Sequence, residues 1–425
     1  MMRRRQFLAA GAVLSTAGCL RSVTEGNATE TEGGPDGTTE AGFSDASTTD
    51  DEVRTESETE TETETTTATP EAPETVTSGW SMPHAGPANQ RYADVDGVRG
   101  DLTAVWTFEP GDEGIPLDLT EPVFRDGTAY VASNTEDTVW ALDPTSGTPE
   151  WSVEVDGPND QAIIDGTLVV AGDAGVRGFD PESGDERWTA DVDARYYQFH
   201  SASDGTAYVV DGTSVYAIDV ETGDSAWRSQ EFEENVWGLA VRNGTICLTQ
   251  SSNQNPGKVV GLDADDGTEL WRSGGLSGGG TSSAPSMADG RVFAGDVGHM
   301  IHAFGVDDGS RAWAGQTNGS THITPAVGDS TVYAMGAGST VYAFGSEYGS
   351  LEWQVDTGTG EYSSPAVTRD TVYVGTEAGV HGFDRESGDE VARFEIDEIV
   401  EQIVPASGLL VATSDTAAYG LVGTE

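Results

Sequence analysis

Lysine is almost missing from this 425-residue chain: 19 of its 20 cationic residues are Arg, and Lys258 stands alone. They face 73 Asp and Glu, giving a formal net charge of -53. A chain so short of positive charge cannot neutralise phosphates, which excludes nucleic acid and anionic membrane surfaces as charge-held partners. Cysteine is equally scarce. Once Cys19 near the start is set aside, only Cys247 remains, so the body has no intramolecular disulfide and must be held by packing. Thr245-Ile246-Cys247-Leu248 alternates as a strand does, and Cys247 reads as a small core side chain. Long hydrophobic runs are lacking as well: the apolar run at 7–18 has 12 residues, where a bilayer-spanning helix needs about 20.

In place of lysine there is carboxylate, and it is spread widely. Only 16 of the 73 acidic residues fall in 23–78, so the rest of the chain is acidic too. Lysine avoidance with surplus carboxylate resembles proteins of salt-saturated habitats, where about 1 M salt shortens the Debye length to roughly 3 Å. A haloarchaeal source is the expectation.

Three parts follow one another along the chain. Residues 1–19 begin with a basic stretch and end in small residues, the pattern of a secretory leader. Arg4-Arg5-Gln6-Phe7-Leu8 resembles the twin-arginine export signal, and Thr16-Ala17-Gly18-Cys19 resembles a lipobox whose cysteine carries lipid. The resemblance implies a chain that folds before export and is anchored through Cys19 on the extracytoplasmic face of the cell membrane. Residues 20–78 hold a Thr- and Glu-rich spacer with almost nothing apolar to bury, which predicts a solvated, self-repelling tether. Its threonines are candidates for O-glycosylation. Asn27, Asn243 and Asn318 each open an Asn-x-Ser/Thr tripeptide and are candidate N-glycan acceptors.

Residues 79–425 repeat themselves. Trp106, Trp151, Trp188, Trp227, Trp271, Trp313 and Trp353 recur at intervals of 37 to 45 residues, long enough for four short strands with their turns. Asp126-Gly127, Asp165-Gly166, Asp204-Gly205, Asn243-Gly244 and Asp289-Gly290 are tight hairpin dipeptides. Runs such as Val215-Tyr216-Ala217-Ile218 are β-branched and aromatic. A turn from Asp143, Asp180, Asp219 or Asp263 closes on Gly147, Gly184, Gly223 or Gly267 before the Trp-bearing strand. The pattern predicts an all-β chain of four-stranded antiparallel blades, each docking a Trp against its neighbour. A seventh full unit puts Ala392 where Trp is expected, and 401–422 supplies only three strands. The economical completion is an eight-bladed β-propeller whose last blade takes 102–108 as its fourth strand, leaving no open edge.

The repeat, (Val/Tyr)-Tyr-Ala-(Leu/Ile/Phe)-Asp with a following Gly and Trp, resembles the pyrroloquinoline quinone (PQQ)-like propeller repeat, and Trp80-Ser81-Met82-Pro83-His84 resembles the leading segment of those proteins. With a lipoprotein leader, the whole is similar to the BamB-type propeller lipoproteins. That resemblance implies a scaffold binding a protein partner at the cell surface, with no cofactor. The alternatives are a quinoprotein dehydrogenase holding PQQ and calcium, and a binder of an extracellular ligand such as polysaccharide. The quinoprotein pattern calls for adjacent cysteines, which this chain lacks.

Other chemistry finds little footing. Asp263-Ala264-Asp265-Asp266-Gly267 departs from a calcium loop by placing Gly one position early. His299 and His302, three apart on an expected strand, face opposite ways and make poor joint metal ligands. The glycine run at 274–280 lacks the Lys-Ser/Thr of a phosphate loop. No catalytic residue and no metal ligand is nominated. The inner strands begin near Glu121, Asp160, Gln198, Trp237, Ser283, His322, Tyr362 and Gln402, which marks these positions as the candidate rim of a central channel.

Overall fold

Short β-branched runs interrupted in each repeat by Asp-Gly or Asn-Gly cannot continue as helix, and they fold as hairpins. A computed structural model describes residues 71–425 apart from 112–114, 174, 191, 193–197, 253–254, 277–279, 282, 322, 337–338, 361–362 and 425. Arg4, Arg5, Cys19, Asn27, His322 and Tyr362 lie outside the described residues, as do the leader and nearly all of the spacer. The chain is all-β, with 32 strands and one 3-10 turn, Pro83–Ala85, among the described residues.

The strands Val123–Arg125, Thr128–Ser133, Thr138–Asp143 and Thr148–Glu154 form an antiparallel sheet in chain order. The same four-stranded sheet recurs over 158–189, 198–228, 235–272, 286–316 and 326–356. Asp126, Asp165, Asp204, Asn243 and Asp289 adopt left-handed φ of 45–52°, each followed by a left-handed Gly, as the tight hairpins require. Second strands are buried on both faces: every residue of Thr167–Gly172 is covered. Outer strands alternate, as in Leu351–Asp356. The innermost strand of each sheet lies beside that of the next.

The joints between sheets are made by the repeating tryptophans. The indole Nε1 of Trp106, Trp151, Trp188, Trp227, Trp271, Trp313 and Trp353 donates, at 2.6–3.1 Å, to the carbonyl of Pro144, Pro181, Val220, Ala264, Val306, Ser346 and Arg385, respectively. Each acceptor opens the last turn of the following sheet. The turn's glycine, Gly147, Gly184, Gly223, Gly267, Gly309, Gly349 or Gly388, lies directly on the indole, where a Cβ would come within 2.4–2.9 Å of a ring atom. All seven glycines have φ of 64–78°, so conformation and contact both exclude a side chain. Across its own sheet each Trp stands opposite Ala or Gly, and the register slips by one residue beside every one of the seven, as between Ala217↔Trp227 and Ile218↔Ser225. For Trp106 the opposite residue is Gly420. Tyr130 and Tyr208 add hydroxyl donors to the carbonyls of Pro181 and Ala264. Burial pushes the Tyr130 phenol up to about 12, so it stays a donor well into alkali.

The turns themselves are held by carboxylates. Asp180 Oδ1 accepts from the backbone N–H of Glu182 and Ser183, and Oδ2 from Arg187. The Arg187 guanidinium, helped by these amides, holds the Asp180 carboxyl below the usual range. Burial pushes the Cys247 thiol up, in keeping with a closed core position.

The last sheet differs. It has eight strands in the order Ala366–Val367, Thr371–Thr376, Gly379–Asp384, Glu390–Glu395, Gly100–Phe108, Ala418–Thr424, Leu409–Ser414, Val400–Ala406. Gly100–Phe108 runs antiparallel to Ala418–Thr424, and at its start parallel to Glu390–Glu395 through Gly100↔Ala392 and Asp101↔Arg393. Ala392 is thus the place where backbone pairing replaces an indole joint. The approaching chain is tied down nearby, with Tyr373 Oη donating to Val98 O at 2.7 Å and Arg99 pairing with Asp384 at 3.0 Å. One hydrophobic cluster joins this sheet to the first, including Trp106, Phe108, Leu410 and Leu421 with Phe124, Val131 and Leu142.

Gly223→Ala, which meets both the Trp188 ring and a left-handed φ, should lose about 2–4 kcal/mol. Gly244→Ala has the same φ problem but open space around it, and should lose only about 1–2 kcal/mol. Equilibrium urea unfolding in strong salt measures both; equal losses would show that the indole contact adds nothing.

Candidate functional site

The rim positions are set by the starts of the inner strands, where a strand leaves a loop and its first residues are not yet fully paired. The structure places the described members in different environments. Asp160 lies in Pro158–Ile164 and Gln402 in Val400–Ala406, both half-buried. Gln198 opens the strand Gln198–Ser203. Ser283 is buried, its carbonyl accepting from Thr249 Oγ1 at 2.6 Å. Trp237 lies in Asn235–Arg242, half-buried, and its indole Nε1 is buried without a hydrogen-bond partner among the described residues.

A shared feature of four inner strands was not legible in the sequence. The register slips between Pro158 and Asp160, Phe199 and Ser201, Val236 and Gly238, and Val400 and Gln402. The extra residues are Asn159, His200, Trp237 and Glu401. A bulge leaves its extra residue out of the ladder and re-aims it, a device common beside binding sites. The sequence pattern marks only Trp237 of these four. Bulges depend on pairing partners some ten residues away, which no local pattern specifies.

Glu121 sits differently from an open rim residue. It is 4% exposed, and its carboxylate accepts from Arg91 Nη1 at 3.0 and 3.2 Å. Arg91 is fully buried, with its Nε on Pro365 O at 2.7 Å and its guanidinium 5.0 Å from the centre of the Trp80 ring. Arg91 Nη1 also lies 2.7 Å from His84 Nδ1. Arginine can only donate, so His84 Nδ1 is the acceptor there and the ring proton belongs on Nε2. Arg91, His84 and Trp80 all come from the segment that leads into the repeats. Sequence reasoning marked Trp80 and His84 as part of a motif but assigned no partner to Arg91, because the countercharge lies thirty residues away.

The remaining candidates resolve into structural roles. Asn243 is exposed on its hairpin, whereas Asn318 donates Nδ2 to Thr340 Oγ1 at 2.7 Å. Asp263 to Gly267 is a turn closed by Gly267 N on Asp263 O. His299 sits in a left-handed turn rather than on the strand, which begins at Met300. His302 is buried, with Nε2 2.7 Å from Asp296 Oδ2. Among the described residues no group of three His, Cys, Asp or Glu could hold a metal ion. Of the glycine run at 274–280, residues 277–279 lie outside the described residues.

Stacked four-stranded sheets joined by indoles, with short inner strands side by side, define a β-propeller built of PQQ-like repeats. The family model described as outer membrane protein assembly factor BamB matches residues 95–228, 172–272 and 255–399, and the chain belongs to that family. None of the curated proteins matches it. Among solved structures, BamB from Moraxella catarrhalis is similar at 15% identity and TM-score 0.60, covering 76% of this chain and 99% of that one. The quinohemoprotein alcohol dehydrogenase from Comamonas testosteroni is similar at 14% identity and TM-score 0.67, covering 82% and 81%. The computationally designed protein Ika8 is similar at 14% identity and TM-score 0.66, covering 76% and 99%. At such identities the likeness is one of fold.

Removing the Glu121 countercharge should cost about 3–5 kcal/mol, because the buried Arg91 is left uncompensated. Glu121→Ala in urea unfolding tests this, and the paired Arg91→Met, Glu121→Leu variant should recover most of the loss. A cost under about 1 kcal/mol would show that the pair anchors nothing.

Proposed function

We propose that this protein is a membrane-tethered, extracytoplasmic scaffold: an eight-bladed propeller, its last blade completed by Gly100–Phe108, that binds a protein partner at its rim. The observation that carries the reading is membership in a family described by an assembly factor, over 95–399 of the chain. The bulged inner strands support it, since they turn Asn159, Trp237 and Glu401 out of the ladder. Lipid anchoring at Cys19, export through Arg4 and Arg5, and a solvated spacer fit a body held away from the lipid surface. In strong salt, packing and hydrogen bonds outlast charge attraction, so aromatic and polar rim groups suit a partner better than the acidic surface does.

The oxidoreductase reading has fold likeness in its favour, as the Comamonas enzyme shows. The donor set does not fit it. The sequence has no adjacent cysteines, and the described residues offer no cluster of three carboxylates or imidazoles for calcium.

A photo-crosslinking residue at Gln402 should capture a discrete partner in intact cells, and one at the exposed outer-strand residue Leu270 should not. Joint Trp237→Ala and Tyr362→Ala substitution should lower capture at least tenfold, measured well below the melting temperature of the variant. Equal capture from both positions, or from the double variant, counts against the rim. Cys19→Ser should release the protein from the membrane fraction.

A further inference from the structure

Inner strands of a propeller are edge strands: one side pairs with the second strand, and the other faces the axis with its amides unpaired. In this chain those amides are taken by its own leading segment, in the order of the repeats. Ser78 O accepts from Ser407 N, Trp80 O from Phe124 N at 2.6 Å, and Ser81 O from Ile163 N at 2.7 Å. Pro87 O accepts from Ser201 Oγ at 2.9 Å and Val241 N at 2.6 Å, and Ala88 O from Met287 N at 2.8 Å. Gln90 O and Arg91 O accept from Val327 N and Val367 N, both at 2.8 Å. Phe124, Ile163, Val241, Met287, Val327 and Val367 occupy one position of the repeat, two residues before the hairpin turn.

The leading segment does not own this shape. His84, Ala85, Asn89 and Arg91 all have left-handed φ of 51–65°, at a cost of roughly 1–2 kcal/mol each for residues with a Cβ. Such a path persists only where its surroundings impose it. Two side chains fasten it. Asn89, fully buried, donates Nδ2 to Leu239 O at 2.7 Å and Pro285 O at 3.0 Å, and Arg91 makes the bonds already described. Trp80, Met82, Ala88 and Ala93 are buried with them. The chain then surfaces at Asp94 and Asp96, whose exposed carboxylates pair with Arg369.

We propose that the row of axial amides is a binding groove for an irregular polypeptide segment, that residues 78–93 are its resident occupant supplied in cis, and that the groove accepts the same sequence in trans. The recognised chemistry is a run of outward backbone carbonyls fixed by one buried Asn and one buried Arg. It needs no outside partner.

The test uses the full chain with a protease site inserted after Asp94, cut only after folding. The N-terminal fragment should co-elute with the repeats on gel filtration in strong salt. A fluorescent synthetic peptide of residues 76–94 should exchange into the cut protein, while a scrambled peptide should not. Asn89→Ala or Arg91→Ala should each lower retention at least tenfold, and either one suffices where the other fails to fold. A fragment that leaves the cut wild-type protein at once, with the melting temperature of the repeats unchanged, would overturn the groove. Retention without any peptide exchange, even near the unfolding midpoint, would overturn acceptance in trans.

Discussion

The joint of indole on glycine is the interaction from which the rest of the structure follows. A four-stranded sheet of six-residue strands has two apolar faces and cannot bury either alone. Here the Trp of one sheet gives the next a flat surface and a hydrogen bond, and the turn glycine of that next sheet admits the contact. Because a left-handed φ and a bare Cα are both needed at the same residue, the joint requires glycine at that position of the turn each time it recurs.

The one departure from the joint is informative. Where Ala392 stands in place of Trp, the neighbouring strand approaches close enough to pair by backbone, and Gly100 and Asp101 do so. The joint is taken up again by Trp106, carried on the strand from the other end of the chain, which donates to Pro144 in the first sheet. Small residues on the last repeat and a glycine at the start of the incoming strand are two parts of one solution. Arg99 and Tyr373 hold the arriving chain in register.

The family reading and the site reading concern different layers. The indole joints and hairpins recur from repeat to repeat, and structures with unlike activities share the fold they build. What does not repeat from sheet to sheet lies inside: the Arg91–Glu121 pair, the bulges at four inner strands, and the leading segment that bonds to the inner strands in turn. The acidic charge belongs to neither. It covers the outer strands and turns, where Asp180 and its counterparts serve first as caps for tight turns.

Sequence alone determined the all-β class, the repeat, the hairpin turns and the seven tryptophans, because each rests on residues within one repeat of about forty. That 401–422 supplies only three strands was legible too, while the pairing of Gly100–Phe108 with Ala418–Thr424 joins the two ends of the chain. The candidate site was only half legible. Glu121 was chosen as a rim residue, yet its neighbour Arg91 makes it a buried anchor; Trp237 was chosen for its position, yet the bulge that displaces it depends on pairing with Gln250 and Thr249. Tertiary structure decided these because they join residues far apart in the chain, where no period or spacing carries information. It also decided the course of the leading segment, whose left-handed residues would not be chosen by any local preference and are held there by amides from successive repeats.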